Sequence, residues 1–285
     1  MRYLWIRNLK IFFRDRANVF FSLLAVFIIL GLHVLFLGDM WDAQTDGVKD
    51  IRLLVDTWMF GGLMAVVALS TTLGAFSALV ADRAQKIYKD FYVSPLPRGR
   101  ITAGYILSAF TVGLIMSAVA LICVETYIGF SGGAVLHPAG WLKALGVILL
   151  GTLNGTALTG LIVSFVKSQN AYAVASTIFG TLVGFLTGVY LPLGVLPEAV
   201  QVAVKIFPGT HAGLLFRQIL TEKQLALSFE SLPASAAGDY REMMGITAKL
   251  GDFDITPAVS AVYLAATAAL FFFLAVWNLS RKNRA

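Results

Sequence analysis

Six stretches of about twenty residues carry no formal charge: 19–37, 58–80, 101–124, 144–166, 171–191 and 257–279. Wound as helices at about 1.5 Å per residue, runs of this length match a bilayer core about 30 Å thick. The chain is 58% hydrophobic and only 13% charged, against about a quarter charged in soluble domains. The bilayer is its natural solvent. The reading is an all-α membrane protein with six transmembrane helices in one transmembrane domain over 1–285.

The charges between the runs set the orientation. Residues 1–18 hold Arg2, Arg7, Lys10, Arg14 and Arg16, with Trp5, Ile6, Leu9, Phe12 and Phe13 on one helical face. That pattern predicts an interfacial amphipathic helix, apolar side down. A signal peptide fits this start less well, because the following run is too long and Gly38-Asp39-Met40-Trp41 is a poor cleavage site. The amino-terminal helix, 81–100, the Lys167 connection and the carboxyl end together hold fourteen of the 22 Lys and Arg but three of the 16 acids. By the bias of cytoplasmic loops toward cations, both termini are expected in the cytoplasm. Residues 38–57 and 192–256 then belong outside.

Segment 81–100, ADRAQKIYKDFYVSPLPRGR, is a basic cytoplasmic loop in this reading. Asp82–Tyr92 is predicted helical, with Ile87 and Phe91 on an apolar stripe, until Pro95 and Pro97 stop it. Such a helix between two spans can transmit force; an ordinary basic loop lying on lipid is the plainer alternative. On the other side, Pro197–Phe207 is apolar enough to lie against the membrane or dip into it, Pro208-Gly209 breaks it, and Thr210 is expected to cap a helix over His211–Leu220. Lying flat outside the membrane is equally compatible with the pattern. Gly180, Gly184 and Gly188 recur every four residues, a spacing that lets helices approach closely, within the chain or between chains. Asn154, Thr156, Ser70 and Thr71 either line a pathway or bond neighbouring helices.

Several functions are disfavoured. The single cysteine, Cys123, and three scattered histidines leave no metal cluster. The cations flank apolar runs, which argues against nucleic acid. No run carries Asp, Glu, Lys or Arg near its middle, which disfavours an ion-coupled secondary transporter. No close grouping of His, acid or Cys supports a lipid-modifying membrane enzyme. The chain has no Gly-x-x-x-x-Gly-Lys-Ser/Thr phosphate cradle, so it is not expected to be an enzyme or its own motor.

The basic amphipathic start, the six runs and Val93-Ser94-Pro95-Leu96-Pro97-Arg98 between the second and third resemble the permease family of type-2 ATP-binding-cassette (ABC) exporters. The similarity extends to Leu196-Pro197-Glu198-Ala199-Val200-Gln201 and Phe207-Pro208-Gly209-Thr210, although His211 stands where an aromatic is common. The resemblance implies a coupling helix that docks on a cytoplasmic ATPase through Lys86, Ile87, Tyr88, Phe91, Tyr92, Ser94, Pro95, Leu96, Pro97 and Arg98. It implies short re-entrant helices before the last span and an extracellular gate containing Leu196, Pro197, Phe207, Pro208, Thr210 and Arg217. It further implies two ATPase subunits carrying ATP and Mg, with no cofactor on this chain. A second copy of the chain or a similar permease would meet it near Gly180, Gly184 and Gly188. The expected setting is a bacterial cell membrane, and the expected cargo an amphipathic or lipid-like molecule such as a drug, peptide antibiotic or glycolipid.

Overall fold

The computed structural model describes residues 2–24, 27–28, 31, 48–87 and 97–282. The structure is 81% helical; among the described residues the one sheet is an antiparallel pair, β1 (Lys249–Leu250) and β2 (Phe253–Asp254). Two helices, α1 (Arg2–Arg14) and α2 (Arg16–Ser22), open the chain. The Asp15 carboxylate accepts from the Asn18 amide at 3.0 Å and so caps the second. Of the first predicted span, 19–37, only 19–24, 27–28 and 31 fall within the described residues.

The centre of the fold is α3 (Ile51–Ala75), continued after a break at Phe76 by α4 (Ser77–Ala84). Ile51–Ala84 forms a 34-residue apolar rod, about 50 Å long and well beyond a bilayer core. Buried side chains face every direction around α3, the signature of a helix enclosed by others. Its neighbours are α5 (Arg98–Phe130), α6 (Pro138–Phe165), α7 (Gln169–Leu186) and α9 (Pro208–Ser228). The last helix, α11 (Pro257–Lys282), packs on α6. In its most apolar window only 22% of residues are buried, against 72% in the α3–α4 rod, so α11 presents most of its surface outward.

Local chemistry sets the helix ends. Pro138, Pro208 and Pro257 open helices where a missing amide donor costs nothing, and the Ser168 hydroxyl accepts from the Ala171 amide at 3.2 Å to start α7. A short α8 (Glu198–Ile206) meets α9 at 90°, because Phe207, preceding a proline, takes an extended conformation with ψ of 124°. Among the described residues, four helices are long and apolar enough to cross a membrane: Ile51–Ala84, Gly99–Phe130, Pro138–Phe165 and Pro257–Asn278. Counting the bent pair α8–α9 as one span gives five.

Two expected helix boundaries need correction. The helix predicted over Asp82–Tyr92 ends instead at Ala84, where Lys86, at φ 61°, provides the left-handed stop; residues 88–96 lie outside the described region. The apolar face of α1 packs in part on protein, with Phe12 buried, Leu9 on the core and Leu4 against Gly104, while Phe13 stays exposed. The helix expected over His211–Leu220 runs from Pro208 to Ser228, and Thr210 lies within it.

Beyond α9, α10 (Ala234–Met243) and the hairpin fold back over the start of α3. Leu54, Trp58, Leu225, Phe229, Tyr240, Met244 and Ile246 form a second core there. The Trp58 indole donates to the Met244 carbonyl at 2.6 Å and the Gln218 amide to Ile246 at 2.9 Å. Burial pushes the Tyr240 phenol well above its usual pKa.

Candidate functional site

Two polar clusters lie against the rod α3–α4, one at its loop end and one beside Trp58, Gly61 and Gly62, toward the hairpin end. At the loop end, Asp82 is buried and accepts from both Arg7 guanidinium nitrogens, at 2.7 and 2.9 Å. The Tyr105 hydroxyl donates to the same carboxylate at 2.5 Å. The hydrogen bonds from Arg7 to Asp82 raise the arginine's pKa above its ordinary value even against partial burial, so Arg7 stays charged. Nearby, the Trp5 indole donates to Thr111 at 3.1 Å and the Asn8 amide to Ser108 at 3.4 Å. Thus α1 is fastened to α4 and α5, the two helices from which 85–97 departs and to which it returns.

Of the residues assigned to the coupling loop, Lys86 and Ile87 lie in the turn after α4, Pro97 precedes α5, and Arg98 is its first residue. Tyr88, Phe91, Tyr92, Ser94, Pro95 and Leu96 lie outside the described residues. Asp82, one of the two acids in the basic segment 81–100, is the polar residue that joins these elements.

The hairpin-end cluster is built on helix termini. The last carbonyls of a helix lack partners within it, and at membrane depth water does not supply them. Here α7 and α8 both end against α9. Arg217, only 2% exposed, donates to the carbonyls of Thr187 at 3.1 Å and Gly188 at 2.7 Å. The Thr210 hydroxyl lies 2.6 Å from the carbonyls of both Leu186 and Val204 and shares its proton between them. His211 reaches the Lys205 carbonyl through Nε2 at 3.0 Å, which makes Nε2 the protonated nitrogen and leaves Nδ1 to accept from Ser260 at 3.2 Å. Tyr263, stacked near His211, donates to Ile206 at 2.6 Å. Six carbonyls at or just past the ends of two helices are therefore satisfied by four side chains.

Burying a guanidinium costs several kcal/mol in general. Here the cost is offset by the negative end of the α7 dipole and by the Trp58 ring, 4.8 Å from the guanidinium carbon. The close approach needs glycine in α3: a Cβ at Gly61 would stand 2.7 Å from the Arg217 Cα and backbone nitrogen. The absence of charge from the apolar runs therefore does not mean an absence of charge among the packed helices. Arg217 lies outside every run yet packs beside Trp58, Gly61 and Gly62 within the second.

The remaining assigned residues separate. Gly188 lies beyond α7 at φ 68°, where the Gly188 amide bonds Phe185 and the Val189 amide bonds Gly184, a left-handed helix stop. A Cβ on Gly184 would strike Tyr190, whereas Gly180 faces open space. The proposed three-glycine seam thus shrinks to α7 itself, of which Gly180 is the open part. Asn154 ties α6 to α11 by donating to the Leu264 carbonyl at 3.1 Å and to Thr267 at 2.7 Å. Thr71 and Thr156 donate to carbonyls one turn back in their own helices, and Ser70 is half-buried. Leu196 and Pro197 precede α8, and Phe207 and Pro208 form its junction with α9. Among the described residues no three His, Cys, Asp or Glu side chains group as metal ligands.

A bundle of long apolar helices around one enclosed rod, with bent helices tucked against it, defines a polytopic membrane protein. The chain belongs to the family described as ABC-2 family transporter protein, which it matches over residues 42–277. That is a family of ABC transporter permeases. It is also similar to the linearmycin resistance permease protein LnrN of Bacillus subtilis (strain 168), with 23% identity over 151 residues and 53% of this chain covered. The chain covers 38% of that relative's length.

Proposed function

We propose that this chain is the transmembrane half of an exporter driven by ATP hydrolysed on a separate subunit. Six spans place both termini in the cytoplasm, the loop end of the rod faces inward, and the hairpin end faces outward. Two ATPase subunits with bound ATP and Mg engage residues 86–98. Two permease chains, identical or similar, pair through α7 and its surroundings in a bacterial cell membrane. The helices α8 and α9 dip into the outer leaflet as the gate. The cargo is amphipathic or lipid-like; the relative's name as a resistance permease supports efflux of a toxic molecule.

The observation that carries this reading is the rod itself. One end leads directly into the basic loop, and along its length it packs against the Arg217 cluster. From Gly61 to Asp82 is 21 residues of helix, roughly 31 Å, about one hydrocarbon core. A push at the loop end is delivered along the rod toward the Arg217 cluster, with the break at Phe76 as the joint that packing has to hold.

Two measurements test the reading. A tagged permease should co-purify with a nucleotide-hydrolysing subunit, and deletion of its gene should sensitise cells to amphipathic antibiotics. Phe91→Asp, or deletion of Ser94–Pro97, should leave the protein in the membrane and the ATPase active while abolishing export. Uphill transport by the purified chain alone, powered by an ion gradient, overturns the proposal.

A further inference from the structure

The buried Asp82 carboxylate has a geometry that loop docking alone does not require. It accepts three hydrogen bonds: two from Arg7 on α1 and one from Tyr105, which lies two turns into α5. Asp82 itself sits two residues before the end of α4. One carboxylate thereby binds both roots of the loop to the amino-terminal helix. Paired N–H···O bonds fix angle as well as distance, so α1, α4 and the start of α5 are held in one orientation. A buried ion pair adds little net stability over apolar packing; what it specifies is geometry. On the next residue, the Arg83 guanidinium donates to the Val163 carbonyl at 3.3 Å and brings the end of α6 into the same assembly.

We propose that Asp82 is a positioning residue for energy transmission: through Arg7 and Tyr105 it makes α1, α4 and the base of α5 move as one body, so that force on the loop is delivered to the rod. This rests on the permease reading. The bond to Tyr105 prevents the two roots from separating when the loop is pushed, and the pair with Arg7 prevents α4 from bending at the Phe76 break. With Asp82→Asn, side-chain volume and packing are kept, while the charge that orients both Arg7 nitrogens is lost.

The test uses the full permease purified with its co-purifying ATPase, in a Cys123→Ala background with Val195→Cys as reporter; Val195 is exposed, in the turn before α8. Labelling by a membrane-impermeant maleimide is compared without nucleotide and after trapping with ADP and vanadate. In the parent the labelling rate changes with trapping. In Asp82→Asn the complex should assemble and hydrolyse ATP while that change falls at least five-fold, and Tyr105→Phe should lose part of it. Exchanging the charges, Arg7→Asp with Asp82→Arg, should restore at least half. An unchanged response in Asp82→Asn overturns the inference, as does a loss that tracks disassembly and is not restored by the exchange. A parent that carries no ATPase and shows no nucleotide response removes the permease reading itself, an outcome distinct from both.

Discussion

Arg217 shows how much one side chain can organise when it lies among helix ends. Its two carbonyl partners, Thr187 and Gly188, directly follow α7, so its removal leaves buried acceptors without a donor. Arg217→Gln is too short to span both and carries no charge. Hydrogen bonds to charged groups are worth roughly 1.5–3 kcal/mol each, so we expect a loss of about 3 kcal/mol, read as an earlier midpoint in a denaturant titration of the detergent-solubilised protein. Arg217→Lys keeps the charge without the planar fork that serves two acceptors and stacks on Trp58, and should fall between. A glutamine variant as stable as the parent contradicts this account. The sequence marked Arg217 only through its place in a resemblance. Its partners lie 29 and 30 residues away, beyond the reach of local pattern. Asp82 had a signal of its own: it is one of two acids in a basic segment, two residues past an uncharged run, and an acid so placed needs a cation nearby.

Among the elements, starts were more legible than stops. Pro138, Pro208, Pro257 and Ser168 announce helices by chemistry that acts within one turn. The stops at Lys86 and Gly188 depend on a left-handed residue, and a glycine at four-residue spacing reads equally well as packing. Gly180 within α7 and Gly188 just past its end separate these roles. Gly188→Ala puts a Cβ at φ 68°, costing about 1 kcal/mol, and should accelerate hydrogen exchange of the Val189 amide, which bonds Gly184 at 3.1 Å. Gly180→Ala meets nothing within 4 Å in the single chain and should gain about 0.5–1 kcal/mol of helix propensity. The larger Gly180→Leu therefore tests the pairing of chains: with α7 at the contact, cross-linking of two permeases falls sharply while the monomer remains folded.

For the whole molecule the decisive feature is that the described parts of its cation-rich segments meet at one end. Arg7 on α1 and Asp82 on α4 are in contact, Arg83 reaches the last turn of α6, and Tyr172 near the start of α7 donates to the Leu73 carbonyl at 2.6 Å. The basic amino-terminal helix, the described roots of the basic loop and the Lys167 turn are therefore neighbours in space. At the other end lie the hairpin, the acidic residues around it and the exposed Lys143–Glu222 pair, 3.6 Å apart. Apolar runs and charge asymmetry are what predict the sorting of the chain by side, because both are sums over many residues. They could not show that α9 lies along α3, since that contact depends on Gly61 and Gly62 meeting an arginine from a segment without an apolar run. The sorting is directly measurable. In a Cys123→Ala background, Lys143→Cys and Lys249→Cys should react with an impermeant thiol reagent added to intact cells, whereas Lys86→Cys and Lys167→Cys should react only after permeabilisation. The reverse pattern would place the loop outside, beyond the reach of any cytoplasmic ATPase; a mixed pattern within either pair would mean that the spans have been counted wrongly.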